Sequence, residues 1–147
     1  MREILFRGKS IYADSPNDIS TNYWTEGSLV RQTEHYGIPV GVYHIVKLGD
    51  FHCDYYDSEE VWPETVGQYT GLKDKNGMKI FEGDIIKTRH GIRYITFEDG
   101  CFGARRNNHL FANLRNYNRE LDGCWEVIGN IHDNPELLEN ERSKIND

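Results

Sequence analysis

Short runs of alternating apolar and polar residues, separated by turn-forming residues, follow one another along the chain. This pattern is typical of β-strands, whose side chains point alternately to the two faces of a sheet. It predicts strands over residues 2–9, 23–30, 41–48, 66–70, 84–87, 92–97, 101–104 and 125–131. Residues 109–114 fit either a strand or one or two helical turns, and their Asn-rich flanks favour a loop. The pattern therefore predicts an all-β, or mainly β, protein.

The stretch from Thr65 to Ile86 carries the densest turn chemistry of the chain. Asn76-Gly77 lies between apolar residues, and an Asn-Gly pair is the strongest short signal for a β-hairpin with a type I′ turn, because both central residues need positive φ. Gly83-Asp84 marks a second turn before the next apolar strand. We therefore predict that these four residues are structural turn residues.

The C-terminal part of the chain carries a helix signal. Asn134 is a favourable N-cap, Pro135 suits the first helical position, and Glu136 interacts favourably with the helix dipole. From about Asn140 the sequence has little to bury. We therefore predict a short helix that is followed by a frayed tail.

The predicted strands also indicate an architecture. Closing a small sheet into a barrel removes its exposed edges, so a small barrel is the expected form for a domain of this size. We predict an N-terminal β-rich extension over residues 1–62, a barrel core with the short helix over residues 63–139, and the tail over residues 140–147.

Composition narrows the class of protein. A chain of 147 residues with nine Tyr, six Phe and three Trp can build one core despite a hydrophobic fraction of 37%. Its apolar runs are too short for a signal peptide or a membrane span, so we expect a cytoplasmic protein. The three cysteines, Cys53, Cys101 and Cys124, are odd in number and lack C-x-x-C spacing, which indicates neither a disulfide framework nor a zinc site.

Charge is distributed unevenly along the chain. The net charge is −7, but residues 1–86 carry −6, residues 87–119 carry +5 and residues 120–147 carry −6. Small barrels commonly bind nucleic acid through a basic groove with aromatic platforms. The basic segment supplies a candidate binding surface made of Lys87, Arg89, Arg93, Arg105 and Arg106. The alternative is that the aromatic side chains fill the core while the arginines coat a solvated face or pair with the acidic segments. Strand alternation places the neighbouring Tyr94 opposite Arg93, which argues against stacking beside this arginine.

Aromatic side chains suggest a second kind of surface. The eighteen aromatic residues exceed what the interior of a small barrel is expected to need. Exposed aromatic patches and unpaired strand edges are common at protein interfaces. The candidate residues for self-association lie in the N-terminal half and are Trp24, Tyr55, Tyr56 and Trp62. The alternative is that these side chains fold back and seal the N-terminal strands.

The sequence supports neither catalysis nor metal binding. Asp74 begins a stretch that superficially resembles a calcium loop, but Leu72 and Gly83 occupy positions where an EF-hand needs ligands. The six histidines lack the i, i+4 spacing of a helical metal site. The serines lack the strand–turn–helix frame of a hydrolase nucleophile. We predict no catalytic residue, no metal ligand and no cofactor, and we expect that the protein is not an enzyme.

Several motifs resemble those of the YopX family of phage and prophage proteins. They are REILFRGK near the start, W-x-E-G-x-L-V at residues 24–30, P-E-T-V-G-Q-Y-T-G-L-K-D-K-N-G at residues 63–77, I-F-E-G-D-I at residues 80–85 and E-V-I-G-N-I-x-x-N-P-E-L-L at residues 126–138. Trp62 departs from the family pattern, where an Asp is expected. Residues 105–123 match no family motif.

The resemblance carries expectations of its own. It implies an SH3-like barrel in the C-terminal part, a gene carried on phage or prophage DNA, action in the bacterial host cytosol and no established biochemical activity. Two functional hypotheses follow. The first is a non-enzymatic module that self-associates or binds a host or phage protein through a sheet edge or an aromatic groove. The second is a nucleic-acid-associated protein that uses residues 87–119, which a steep salt dependence of binding would reveal.

Overall fold

The computed structural model describes residues 3–19, 22–47, 58–106, 109–114 and 124–145. The strands are β1 Phe6–Lys9, β2 Trp24–His35, β3 Ile38–Val46, β4 Ser58–Val61, β5 Gly67–Lys73, β6 Lys79–Phe81, β7 Asp84–Thr88, β8 Gly91–Glu98, β9 Cys101–Arg106, β10 His109–Asn113 and β11 Glu126–Asn130. A short 3₁₀ helix spans Pro63–Thr65, and an α-helix, α1, spans Glu136–Ile145. The mainly β fold predicted from the sequence is confirmed.

The strands form two antiparallel sheets. Their orders are β4-β3-β2-β1-β5-β6 and β10-β9-β8-β7-β11. The expected closed barrel is not found: within the described residues, β10 pairs with β9 alone and β11 with β7 alone, so the five-stranded sheet is open. The chain divides into two compact units, residues 1–69 and residues 70–147, and the division falls within β5. The sequence prediction places its boundary after residue 62.

The first unit is built on the long β2–β3 hairpin. β1 pairs with the first four residues of β2, and β4 pairs with the last four of β3. Ile45 and Val61 are buried where these strands meet. A Cβ on Gly27 would lie 2.1 Å from the carbonyl oxygen of Val46, so β2 approaches β3 closely at a position that only glycine can occupy.

Within the described residues, two hairpins have the φ values of type I′ turns. Tyr36 and Gly37 connect β2 to β3 with φ of 50° and 78°, and Asp99 and Gly100 connect β8 to β9 with φ of 50° and 77°. Two-residue loops of this type match the twist of the strands that they join.

The turn at Asn76-Gly77 differs from the sequence prediction. Gly77 has φ of 81°, but Asn76 does not have positive φ, so the turn is not type I′. The Gly77 N–H donates to the Asp74 carbonyl at 3.0 Å, and the Asp74 N–H donates to the Met78 carbonyl at 2.8 Å. These bonds describe a three-residue loop, in which a type I turn is followed by a glycine with positive φ.

The second unit has an apolar core on one face of the five-stranded sheet. Its buried residues are Ile80, Ile86, Ile95, Ala104, Leu114 and Trp125. Strand register brings these side chains to the same face of the sheet. Ile95 pairs with Ala104, and Ile86 pairs with Val127, which packs against the core. At the turn that enters β7, Gly83 has φ of 87°, and the Asp84 carboxylate accepts a hydrogen bond from the Phe81 N–H at 2.7 Å.

The C-terminal helix begins later and extends further than predicted. It starts at Glu136 and continues to Ile145, through residues that the sequence prediction assigned to a frayed tail. The Asn134 carbonyl accepts a hydrogen bond from the Leu137 N–H at 3.1 Å, and the Asn134 side-chain oxygen accepts one from the Asn130 N–H at 3.3 Å. This contact closes the turn between β11 and the helix. The helix packs against β8.

Candidate functional site

The basic segment begins with an arginine that points inward. Arg93 pairs with Ile86 across β7 and β8 and is buried on the core face of the sheet. Its guanidinium donates to the carbonyl oxygens of Ile92 at 2.8 Å and His90 at 2.6 Å. Arg93 therefore closes the β7–β8 turn from inside the sheet, and its cation is shielded from solvent.

Arg105 lies on the opposite face and is held by an acidic partner. Two of its guanidinium nitrogens donate to the two carboxylate oxygens of Glu98, a paired geometry that is stronger than a single contact. The Arg105 guanidinium holds the pKa of Glu98 below its usual value, and Glu98 in turn raises the pKa of Arg105. Register places Tyr94 beside Arg105, so Tyr94 faces away from Arg93 as the alternation predicts.

The remaining cations of the segment lie apart from these two. Lys87 is exposed, and its pairing partner across β7 and β11 is the acidic Glu126. Arg89 is exposed in the β7–β8 turn, with Nη2 at 3.7 Å from the Cys124 sulfur. Arg106 is half-buried near the end of β9. The five candidate cations are thus divided between the two faces of the sheet and its turns.

The candidate aromatic residues of the N-terminal half are engaged within the first unit. Trp24 is half-buried, with the Arg7 Cζ 4.9 Å and the Lys9 Nζ 5.7 Å from its ring centroid. Trp62 is half-buried, and its indole N–H donates to the Ala13 carbonyl at 3.3 Å. The other two candidates, Tyr55 and Tyr56, lie outside the described residues.

A fully buried lysine fastens a surface loop in this unit. The Lys9 ammonium donates to the carbonyl oxygens of Pro16, at 3.3 Å, and Asp18. We call residues 10–19 the clamped loop. Burying an ammonium group is costly unless its hydrogen bonds are satisfied, so the two carbonyls compensate the lysine while the lysine fixes the loop. Trp62 adds a third attachment through Ala13.

The clamped loop exposes three apolar side chains. Tyr12 and Ile19 are 75% and 70% exposed, and Ile11 is also exposed. Around them the loop is tightened by its own bonds: the Ser10 hydroxyl oxygen accepts from the Tyr12 N–H at 3.2 Å, and the Asp14 N–H donates to the Asp18 carboxylate at 3.2 Å. A rigid loop therefore presents apolar side chains to solvent.

The far part of the β2–β3 hairpin extends beyond its neighbouring strands. β1 covers β2 only up to Gly27, and β4 covers β3 only from Tyr43, so among the described residues no strand pairs with either outer edge between residues 28 and 42. We call residues 28–42 the arm. Its turn exposes Tyr36 by 93%, and Val30 and Ile38 are exposed as well.

Side-chain contacts give the arm a defined shape. The Gln32 amide nitrogen lies 3.2 Å from the His35 Nδ1 and donates to the Glu34 carbonyl at 3.1 Å, while its oxygen lies 3.2 Å from the His44 Nε2. These contacts bridge the β-bulge that follows Gln32. The arm is therefore an ordered ribbon with exposed faces and edges.

A third exposed feature is the hairpin between β5 and β6. Residues 73–79 read KDKNGMK, and we call them the lysine hairpin. The Asp74 carboxylate accepts backbone N–H groups of Asn76 at 2.8 Å and Met78 at 2.9 Å, and its other oxygen accepts from Val127 at 2.9 Å. Met78 is 56% exposed at the end of this fixed turn.

Sequence reasoning missed two of these three features. The arm carries a weak signal, since Tyr36-Gly37 lies between two β-branched runs, but the length of the unpaired edges depends on where β1 and β4 stop. Lys9 stands in an alternating strand like any surface lysine, so no local pattern predicts its burial. The signal for the lysine hairpin was present in its turn residues.

Among the described residues, no three or more His, Cys, Asp or Glu side chains are grouped so that they can hold a metal ion. The part of the chain that the structure describes contains no helix with the length and apolar character needed to cross a bilayer.

Comparisons with known proteins give a family and a structural neighbour. The family model described as YopX protein matches residues 17–139. Among solved structures, the crystal structure of protein EF1440 from Enterococcus faecalis is 26% identical, covers 94% of this chain and 99% of its own, and gives a TM-score of 0.49. The comparison with curated proteins found no match.

Proposed function

Because the chain belongs to the YopX family, we propose that it is a non-enzymatic accessory protein of phage or prophage origin, which acts in the host cytoplasm by binding proteins. The observation that carries this proposal is the arm, an ordered ribbon whose outer edges pair with no strand of the described residues and whose tip exposes an aromatic side chain. Proteins commonly bind extended peptides by adding a strand to such an edge, with side chains at the tip giving specificity.

The two edges of the arm are not equivalent. Pro39 lies on the β3 side and has no N–H, so it interrupts the row of donors that a new strand needs. The β2 side, from Ser28 to His35, contains no proline. The β2 edge therefore offers the longer continuous set of backbone groups, and we propose that it accepts the partner strand.

The substitution Tyr36→Asn tests the proposal without disturbing the hairpin. Asn tolerates the positive φ of this position, and Asn-Gly is the preferred type I′ pair, so the turn should keep or gain stability by up to about 1 kcal/mol. The exposed aromatic ring is lost. In affinity capture from host extract, followed by mass spectrometry, we expect the wild-type protein to retain partners that the variant releases.

The control variant is Thr33→Ser, which alters an exposed position of the arm while it keeps a hydroxyl. It should capture the same partners as the wild type. Nuclease treatment of the extract separates the second hypothesis, because partners held through nucleic acid would be lost from the wild type and both variants alike. That outcome, or equal capture by wild type and Tyr36→Asn, would contradict the proposed role of the arm.

A further inference from the structure

The hydrogen bonds that fix the clamped loop also prepare it to bind a partner. A fully buried lysine is used to fix a loop whose outer side, Tyr12 and Ile19, lies in solvent. A loop whose backbone is already fixed by hydrogen bonds loses little backbone freedom on association, and exposed aromatic side chains often carry much of the binding energy at interfaces. The loop therefore has the properties of a contact surface.

The charge around the loop indicates the chemistry of its partner. Residues 1–69 carry five Lys or Arg and eleven Asp or Glu, and one of those five cations is the buried Lys9. Asp14 is exposed within the loop itself. A complementary surface is basic and offers an apolar group at its centre.

The lysine hairpin of the same chain has this chemistry. Its exposed Met78 is accompanied by the exposed Lys73, by Lys75, which also pairs with Glu126 at 2.7 Å, and by the half-buried Lys79, while its one carboxylate, Asp74, is buried and bonded to the backbone. Methionine adapts to apolar surfaces and makes favourable sulfur–aromatic contacts. The hairpin is also fixed in advance, since Asp74 holds the Met78 N–H.

We propose that a second copy of this chain is the partner, with the clamped loop of one copy docking on the lysine hairpin of the other. This inference rests on the proposed protein-binding function and names one partner. Tyr12 contacts Met78 at the centre, and Asp14 faces the lysines around it. Since each copy carries both surfaces, the contact forms twice in a two-fold dimer or repeats head to tail.

Sedimentation velocity of the intact protein tests this contact. At low salt, from micromolar to near-millimolar protein, we expect self-association that weakens as salt screens the charges. Tyr12→Ser and Met78→Ser should each weaken it by about tenfold or more. Ile4→Ser makes the same kind of change at an exposed position outside both surfaces and should leave it unchanged.

Mixing two charge-reversed variants gives the sharpest result. Asp14→Lys places a cation where the loop faces the basic hairpin, and Lys73→Glu with Lys75→Glu leaves the hairpin with three carboxylates and one lysine, so each variant alone should remain monomeric. In an equimolar mixture every contact between unlike copies regains opposite charges. We expect the mixture to associate while its components do not.

Other outcomes overturn the inference. A monomer at all concentrations and salts would do so, as would association that Tyr12→Ser, Met78→Ser and the charge reversals leave intact. If association is lost in Tyr36→Asn but not in these variants, the arm mediates it, and the proposed function stands while this contact fails. If the wild type is monomeric yet captures host partners through the arm, the proposed function again stands and the contact between copies fails.

Discussion

Asp74 shows how one carboxylate fixes a hairpin and joins it to a distant strand. Its two oxygens accept three backbone N–H groups, from Asn76, Met78 and Val127. Burial raises the pKa of this carboxyl, but the three hydrogen bonds and the nearby Lys75 charge together outweigh it, so the pKa lies below its ordinary value of 3.8. Asp74 therefore stabilises the fold as an anion.

The substitution Asp74→Asn tests this role. The amide keeps one acceptor oxygen but directs an NH₂ group at a backbone N–H, which should lower the free energy of unfolding by about 1–3 kcal/mol at neutral pH. The folded-state pKa is lower than the unfolded one, so the contribution is complete above pH 3.8 and is lost as the pH falls through the folded value.

Urea unfolding from pH 7 to about pH 2 measures the effect. The difference in stability between the wild type and Asp74→Asn should be largest near neutrality and should shrink in acid. A difference that stays constant across this range would show that the charge of Asp74 is not what stabilises the hairpin.

Gly77 tests backbone strain without steric overlap. Its φ is 81° and a Cβ there meets no atom within 4 Å, so Gly77→Val should cost about 1–3 kcal/mol through backbone strain. Gly41→Val is the matched control, because Gly41 is equally open but has no positive φ and lies in a strand, where valine is favourable. Thermal melts should separate the two variants. Equal melting temperatures would refute the turn assignment.

At the scale of elements, the alternating pattern predicted most strands because burial on one face is a local property of sequence. Contacts between residues that are distant in sequence determined the elements that the pattern did not predict. The turn at Asn76-Gly77 has three residues rather than two because the Asp74 side chain bonds Asn76 and Met78. The Asn-rich flanks of residues 109–114 favoured a loop in the sequence prediction. This segment forms the strand β10 through its pairing with β9.

The candidate surfaces likewise include some that local sequence predicted and some that depend on contacts between distant residues. The lysine hairpin was visible in its turn residues, whereas the burial of Lys9 depends on carbonyls seven and nine residues away. The basic segment looked continuous in sequence, but strand alternation sends Arg93 to the core face and Arg105 to the other. A run of charges along the chain becomes a surface only when the strands bring it to one side.

The close approach of β2 and β3 supports a prediction about the first unit. A Cβ on Gly27 would lie 2.1 Å from the Val46 carbonyl oxygen, which is backbone and cannot move aside easily. Gly27→Ala should therefore lower the free energy of unfolding by more than about 2 kcal/mol. Gly41→Ala in β3 meets no atom within 4 Å and should change it by less than about 1 kcal/mol. Chemical denaturation compares them, and similar losses would contradict the close approach of β2 to β3 at Gly27.

At the scale of the whole molecule, an acidic protein contains a basic segment that its fold disperses. The sequence has a net charge of −7, with +5 in residues 87–119. Of the cations considered, Arg93 is shielded and Arg105 is paired with Glu98. Lys87 and Arg89 are the exposed ones. Within the described residues of this segment, the number of cations that can contact phosphates at once is therefore small.

This dispersal predicts weak nucleic-acid binding through Lys87, Arg89, Arg93, Arg105 and Arg106. Each phosphate neutralised adds about 0.7–0.9 to the slope of log affinity against log salt concentration, so Lys87 and Arg89 together can contribute less than about 2 in magnitude to that slope. Fluorescence anisotropy with labelled single- and double-stranded DNA over a series of salt concentrations measures it. The double variant Lys87→Glu with Arg89→Glu should remove the remaining binding, while Glu98→Gln, which releases Arg105 from its partner, should increase it. A slope of about five or more in the wild type would mean that the basic segment acts as one surface, and would favour the nucleic-acid hypothesis over binding through the arm.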